Sequence, residues 1–101
     1  MRVLVMFDLP TITSADLREY RKFRRFLIKS GFLMVQESIY SKIALNTSAA
    51  DAITFNLEKN KPLEGLVQVL KITEKQYNNM QFIVGERQTE IIDSDERFII
   101  L

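Results

Sequence analysis

The chain contains no cysteine and no histidine. Without cysteine there are no disulfides, thiolate nucleophiles or zinc–cysteine sites. Without histidine there is no Ser-His-Asp triad, no imidazole general base and no usual transition-metal ligand set. Any catalysis must therefore run on carboxylates, hydroxyls, lysine or arginine, with a hard metal ion as the natural helper. Only three glycines occur, Gly31, Gly65 and Gly85. They lie too far apart to form a phosphate-cradling loop, so nucleotide cofactors are not expected. No apolar run is long enough to span a membrane. The N-terminal stretch Met1–Phe7 has a charge followed by apolar residues, but it lacks the long apolar core and cleavage site of a secretion signal. It reads instead as a strand, and a cytoplasmic protein is expected.

What is present fits one soluble domain of 101 residues, with 47% hydrophobic and 27% charged residues. A core of this size gains much from pairing with a partner. The net charge is only +1, yet it is unevenly placed. Residues 1–50 hold eight basic and four acidic residues, whereas residues 51–101 hold six and nine. Between Arg18 and Lys29 there are six basic residues and one acid, Glu19. A local basic stripe on a nearly neutral chain points to a polyanion surface.

Val3–Phe7 is an apolar run that predicts a central strand, ended by Asp8-Leu9-Pro10. Thr13 or Ser14 caps a helix, with Asp16 completing a capping box if Thr13 is the cap. That helix runs to about Lys29, and Gly31 follows as a stop signal. Phe32–Tyr40 and Lys42–Leu45 read as a strand pair, with the turn near Gln36–Ser38 or near Ser41–Lys42. Ser48 and Asp51 suggest a second capping box, opening a helix that ends near Asn60, before Pro62. Leu66–Ile72 is the next strand, Thr73–Gln76 starts a helical turn, and Gln81–Val84 reads as a fifth strand. The order βαββαβ is ferredoxin-like, an α+β fold with both helices on one face of the sheet. Covering the other face with a second copy predicts a homodimer. The apolar residues at the end, Phe98 to Leu101, predict that 97–101 form a terminal strand docked on a sheet edge, its own or that of the partner subunit.

Asp8 is the most informative residue. It ends a strand just before a helix start, where unpaired N–H groups and a positive dipole collect anions. A phosphate there, beside a carboxylate, suits metal-assisted phosphodiester chemistry. One carboxylate anchors Mg²⁺ weakly, but a two-fold axis near the strand end would supply a second Asp8. The plainer reading is that Asp8 ends the strand or caps the turn. On the first helix, Leu17, Tyr20, Phe23, Leu27 and Ile28 gather on one side and Arg18, Arg21, Lys22, Arg25 and Lys29 on another. Such a cationic face suits the phosphates of a nucleic-acid duplex, and it is also what a solvated helix face looks like. Arg24 falls on the apolar side, where it either pairs with a carboxylate such as Asp8 or snorkels to the surface. The tyrosines and Ser38 have no activating base and read as packing residues.

Met6-Phe7-Asp8-Leu9-Pro10, the run Tyr20–Leu27, Gly31-Phe32 and Gln36-Glu37-Ser38-Ile39-Tyr40 together resemble the CRISPR-associated protein 2 family, the small subunit of the spacer-acquisition complex. Pro10 and the late Ser94-Asp95-Glu96-Arg97 resemble its type II branch. The resemblance implies a ferredoxin-like homodimer with a Mg²⁺ or Mn²⁺ site at Asp8, shared across the two-fold interface. It also implies assembly with the CRISPR-associated protein 1 integrase, bridging integrase dimers while holding double-stranded DNA for insertion into the repeat array. Members of the family are also described as metal-dependent endonucleases on RNA or DNA. Where many relatives have an acid after the aromatic of the Gln-x-Ser run, Ser41 follows Tyr40 here, a departure that weakens any carry-over of roles from that strand. The competing reading is a metal-dependent endoribonuclease toxin of the virulence-associated protein D type. A small-molecule regulator of the same fold fits poorly with the basic stripe.

Overall fold

The computed structural model describes residues 1–87. Its elements are β1 (Arg2–Asp8), α1 (Ser14–Lys29), β2 (Leu33–Gln36), β3 (Ile39–Ile43), α2 (Thr47–Lys59), β4 (Leu66–Ile72) and α3 (Glu74–Asn78). The four strands form one sheet in the order β2-β3-β1-β4, each neighbouring pair antiparallel. This is the expected ferredoxin-like α+β arrangement, with the apolar first strand in a central position.

Strand alternation decides which residues meet the helices. Val3, Val5 and Phe7 of β1 are buried in one cluster with Phe23 and Leu27 of α1, Ala50 and Leu57 of α2, and Tyr40 of β3. Val67 and Val69, opposite Phe7 and Val5 on β4, pack against the same cluster. Both long helices thus lie on one face. Arg2, Leu4, Met6 and Asp8 share the other parity and belong to the opposite, open face. There Arg2, Leu4 and, on β3, Ser41 are buried, whereas Leu66 and Leu70 of β4 remain about half exposed.

Local signals explain most boundaries. Thr13 and Asp16 form a reciprocal capping box: the Thr13 hydroxyl accepts from the Asp16 N–H at 3.0 Å, and the Asp16 carboxylate accepts from the Thr13 N–H at 3.1 Å. Thr73 and Gln76 repeat the device at the short α3. The second helix differs from expectation. Asn46, not Ser48, is its cap, with the Asn46 side chain accepting from the Ala49 N–H at 2.8 Å. Asp51 is thereby placed a turn into the helix and pairs with Lys71 of β4 instead. The β2–β3 turn falls at Glu37–Ser38, which puts Tyr40 on the second strand of the pair.

Gln81–Val84 does not form a strand. The residues suit one, but a strand needs an edge to pair with, and this segment joins neither edge of its own sheet. Ile83 and Val84 stay about nine-tenths exposed. In α1, Ile28 also departs from expectation: it is half exposed, and Phe26 takes the place on the core side. The terminal strand expected at 97–101 lies outside the described residues.

A charge network that composition alone did not reveal fastens α3 to the open face. Arg2 is buried and donates to both carboxylate oxygens of Glu74 at 2.8 Å. It also donates to the Ser41 hydroxyl and lies 4.0 Å from the centroid of the Tyr77 ring. Arg87 stacks on the same ring at 5.0 Å. Hydrogen bonding from Arg2 holds the Glu74 carboxyl below the usual carboxylate range, against an opposing push from burial. A lowered folded-state pKa means that this contribution is complete above the unfolded-state pKa and fades as pH falls through the folded one. Glu74→Gln is expected to lower stability by about 1 kcal/mol at neutral pH, modest because the Glu74 side chain is 41% exposed. Thermal melts across pH should show the gap between wild type and variant closing below the ordinary carboxylate range. A gap that is constant in pH would contradict the network's ionic character.

Candidate functional site

Asp8 is the last residue of β1, paired across the ladder with Leu66 of β4. Its neighbour in sequence, Phe7, points into the helix layer and is the hub of an aromatic group. Ring centroids of Phe23, Tyr40 and Tyr20 lie 5.3, 5.8 and 6.0 Å from that of Phe7. The Phe7 N–H donates to the Ser38 carbonyl at 3.0 Å, closing the β2–β3 turn against the strand end. With Phe7 seated inward, the pleat turns Asp8 to the open face, where it is exposed. Among the described residues no cation lies at ion-pair distance from it.

The other flank of Asp8 is set by Gly65, a residue whose role the sequence reading missed. Gly65 has φ +102°, and a Cβ built there would sit 2.9 Å from the Asp8 carbonyl oxygen and 2.7 Å from Leu9 Cδ2. The α2–β4 connection can approach the strand end this closely only because the residue lacks a side chain. A lone glycine immediately before an apolar strand was the available signal.

Arg18, Arg21, Lys22, Arg25 and Lys29 are all exposed, as the helical spacing predicts. None forms an ion pair with another described residue. Five unneutralised cations therefore share the solvent side of α1. Because α1 packs on the inward face of the sheet, they lie on the layer opposite to Asp8. The structure does not join the two candidate features into one cleft within a single chain.

Arg24 does not pair with Asp8. It remains on the helix side of the sheet, where its Nε donates to the hydroxyl of buried Tyr40 at 2.9 Å. The pairing satisfies a polar atom deep in the aromatic group and leaves the guanidinium near solvent.

Magnesium takes six oxygen ligands and prefers carboxylates with water. Among the described residues no three Asp or Glu side chains converge on a possible metal position. Asp16 faces the helix cap rather than Asp8. Among the described residues, Asp8 alone would offer a metal at the strand end a carboxylate ligand. No helix among the described residues is long and apolar enough to cross a membrane.

Comparison with known proteins bears on the same residues. The family model described as CRISPR associated protein Cas2 matches residues 1–80, which hold Asp8, all of α1 and the whole sheet. The chain is 54% identical to a CRISPR-associated endoribonuclease Cas2 from Treponema denticola over 101 residues, the full length of both. It is 46% identical to proteins of the same name from Streptococcus mutans, covering 93% of that relative, and Ligilactobacillus salivarius, covering all of it.

Replacing Gly65 tests how the strand end is built. Gly65→Ala must relax both a close contact and a positive φ, and should cost about 1–3 kcal/mol in chemical denaturation. An unchanged midpoint would show that the contact at Asp8 is not tight.

Proposed function

The chain belongs to the CRISPR-associated Cas2 family, and from that premise we propose that it serves CRISPR adaptation as a homodimer that binds protospacer duplex DNA and bridges dimers of the CRISPR-associated protein 1 integrase. The observation that carries this reading is the α1 surface, with five exposed, unpaired cations on one helix face. Lys and Arg so arranged contact backbone phosphates without reading sequence, which is what capture of arbitrary short DNA requires. A second copy is supported by the open sheet face, where Leu66 and Leu70 stay half exposed beside Met6. Stacking two such faces would leave both cationic layers outward, giving a dimer with two duplex-binding surfaces.

Each phosphate contact contributes about 0.9 to the slope of log K against log salt. Replacing Arg18, Lys22 and Arg25 with Ala should therefore flatten that slope by about two to three and weaken binding uniformly across sequences. Fluorescence anisotropy with a short labelled duplex at several salt concentrations measures it. An unchanged slope would remove the α1 face from the DNA interface.

A second activity is favoured by the exposed, unpaired Asp8 and by the endoribonuclease name of the relatives. In this reading the Asp8 carboxylates of two copies hold Mg²⁺ or Mn²⁺ between them. The metal would lower the pKa of a bound water and polarise a phosphate. Asp8 itself anchors and orients; the aromatic group behind Phe7 and the close approach of Gly65 fix where its carboxylate stands. Cleavage of RNA or DNA should then require the divalent ion and vanish in Asp8→Ala. Equal cleavage by the variant would dismiss this role.

A further inference from the structure

The cations of α1 do not end at α1. Helix α2 packs beside it on the same layer, and the chain leaving α2 passes Lys59, Asn60 and Lys61 before Pro62 turns it toward β4. Between the two helices lies a groove of about 150 Å³, bordered by Lys22 of α1 and by Lys59 and Lys61, with Phe23 and Phe26 at its floor. Lys59 and Lys61 are exposed, and neither is in an ion pair with a described residue. The Lys59 ammonium lies 5.4 Å from the centroid of the exposed Phe55 ring, a contact that holds it at the surface without neutralising it. Glu19 is the one acid on the groove, facing three lysines.

Next to this groove the sign of the charge reverses. A neighbouring apolar hollow of about 170 Å³, lined by Leu9, Pro10 and Leu63, carries Asp16, Glu19 and Glu64 on its rim. The surface therefore has a cationic region spanning α1 and the end of α2, bounded by an acidic lip at the loops around the end of β1. A polyanion following α1 toward that end is repelled by the lip and attracted sideways over the groove.

We propose that Lys59 and Lys61 form a second phosphate-binding position, so that bound duplex crosses from α1 over the α1–α2 groove instead of running along α1 alone. This rests on the duplex-binding reading of α1 given above. It adds to that reading a second contact element and a direction for the DNA.

The test is the salt dependence of binding by the full-length protein to a short labelled DNA duplex. Lys59→Gln/Lys61→Gln should lower the slope magnitude by about two, one increment per lost contact, while Lys59→Arg/Lys61→Arg retains it. Lys75→Gln, an exposed lysine on α3, should leave the slope unchanged and controls for net charge, with size-exclusion chromatography verifying an oligomeric state equal to that of wild type. All three sites are exposed, and matching thermal melts verify that the variants fold. If the α1 triple variant flattens the slope and Lys59→Gln/Lys61→Gln does not, the crossing path is overturned and the duplex lies along α1 alone. If Lys75→Gln flattens the slope as much per charge as the groove variant, the effect is general electrostatics and the position is again overturned. If neither the α1 nor the groove variant changes the slope, the duplex-binding reading itself fails.

Discussion

The seating of Phe7 is the constraint on which the rest of this structure depends. A ring at the end of the central strand reaches three aromatic neighbours, on α1 and β3, within about 6 Å. Because strand side chains alternate, burying Phe7 turns Asp8 to the opposite face. The same packing holds α1 against the sheet with Phe23 and Leu27 inward, which leaves its cations outward. One hydrophobic choice thus separates a carboxylate surface from a cationic surface by the thickness of the sheet and helix layers.

That separation shapes the functional reading. A nuclease built within one chain would gather its cations and its carboxylate around one phosphate. Here the two stand on opposite layers, so a duplex on α1 is not delivered to Asp8 of the same chain. The proposed two-fold stacking of open faces turns this into an advantage. It would bring the carboxylates together at the centre and leave the cations on the outside, where long DNA is accessible. DNA holding and metal chemistry are then separable properties, and loss of one does not imply loss of the other.

Much of this was legible in the sequence. The central position of β1, the Thr13 capping box, the full extent of β4 and the cationic face of α1 all follow from local pattern, because each is decided by neighbours within a few residues. The features that were missed are those made by distant residues. Gly65 matters only because the α2–β4 connection abuts Asp8, and Arg2 only because Glu74, 72 residues away, comes to rest beside it. Lys59 and Lys61 sit on a different element from Lys22, and only the packing of α2 on α1 brings them to one groove. Of the two readings of Arg24, pairing with Asp8 fails because helical angle says nothing about which sheet face a strand residue takes, while its reach to the surface holds. Gln81–Val84 had the composition of a strand, but composition does not say whether a segment reaches an edge of the sheet.

The most direct test is spacer integration in a reconstituted mixture of this protein, the integrase subunit and short duplex DNA. It would compare wild type, Asp8→Ala and the Arg18, Lys22 and Arg25 to Ala variant. The separation of surfaces predicts that Asp8→Ala integrates as well as wild type, while loss of the α1 cations abolishes integration at moderate salt. Integration lost in Asp8→Ala and retained without the α1 cations would contradict it.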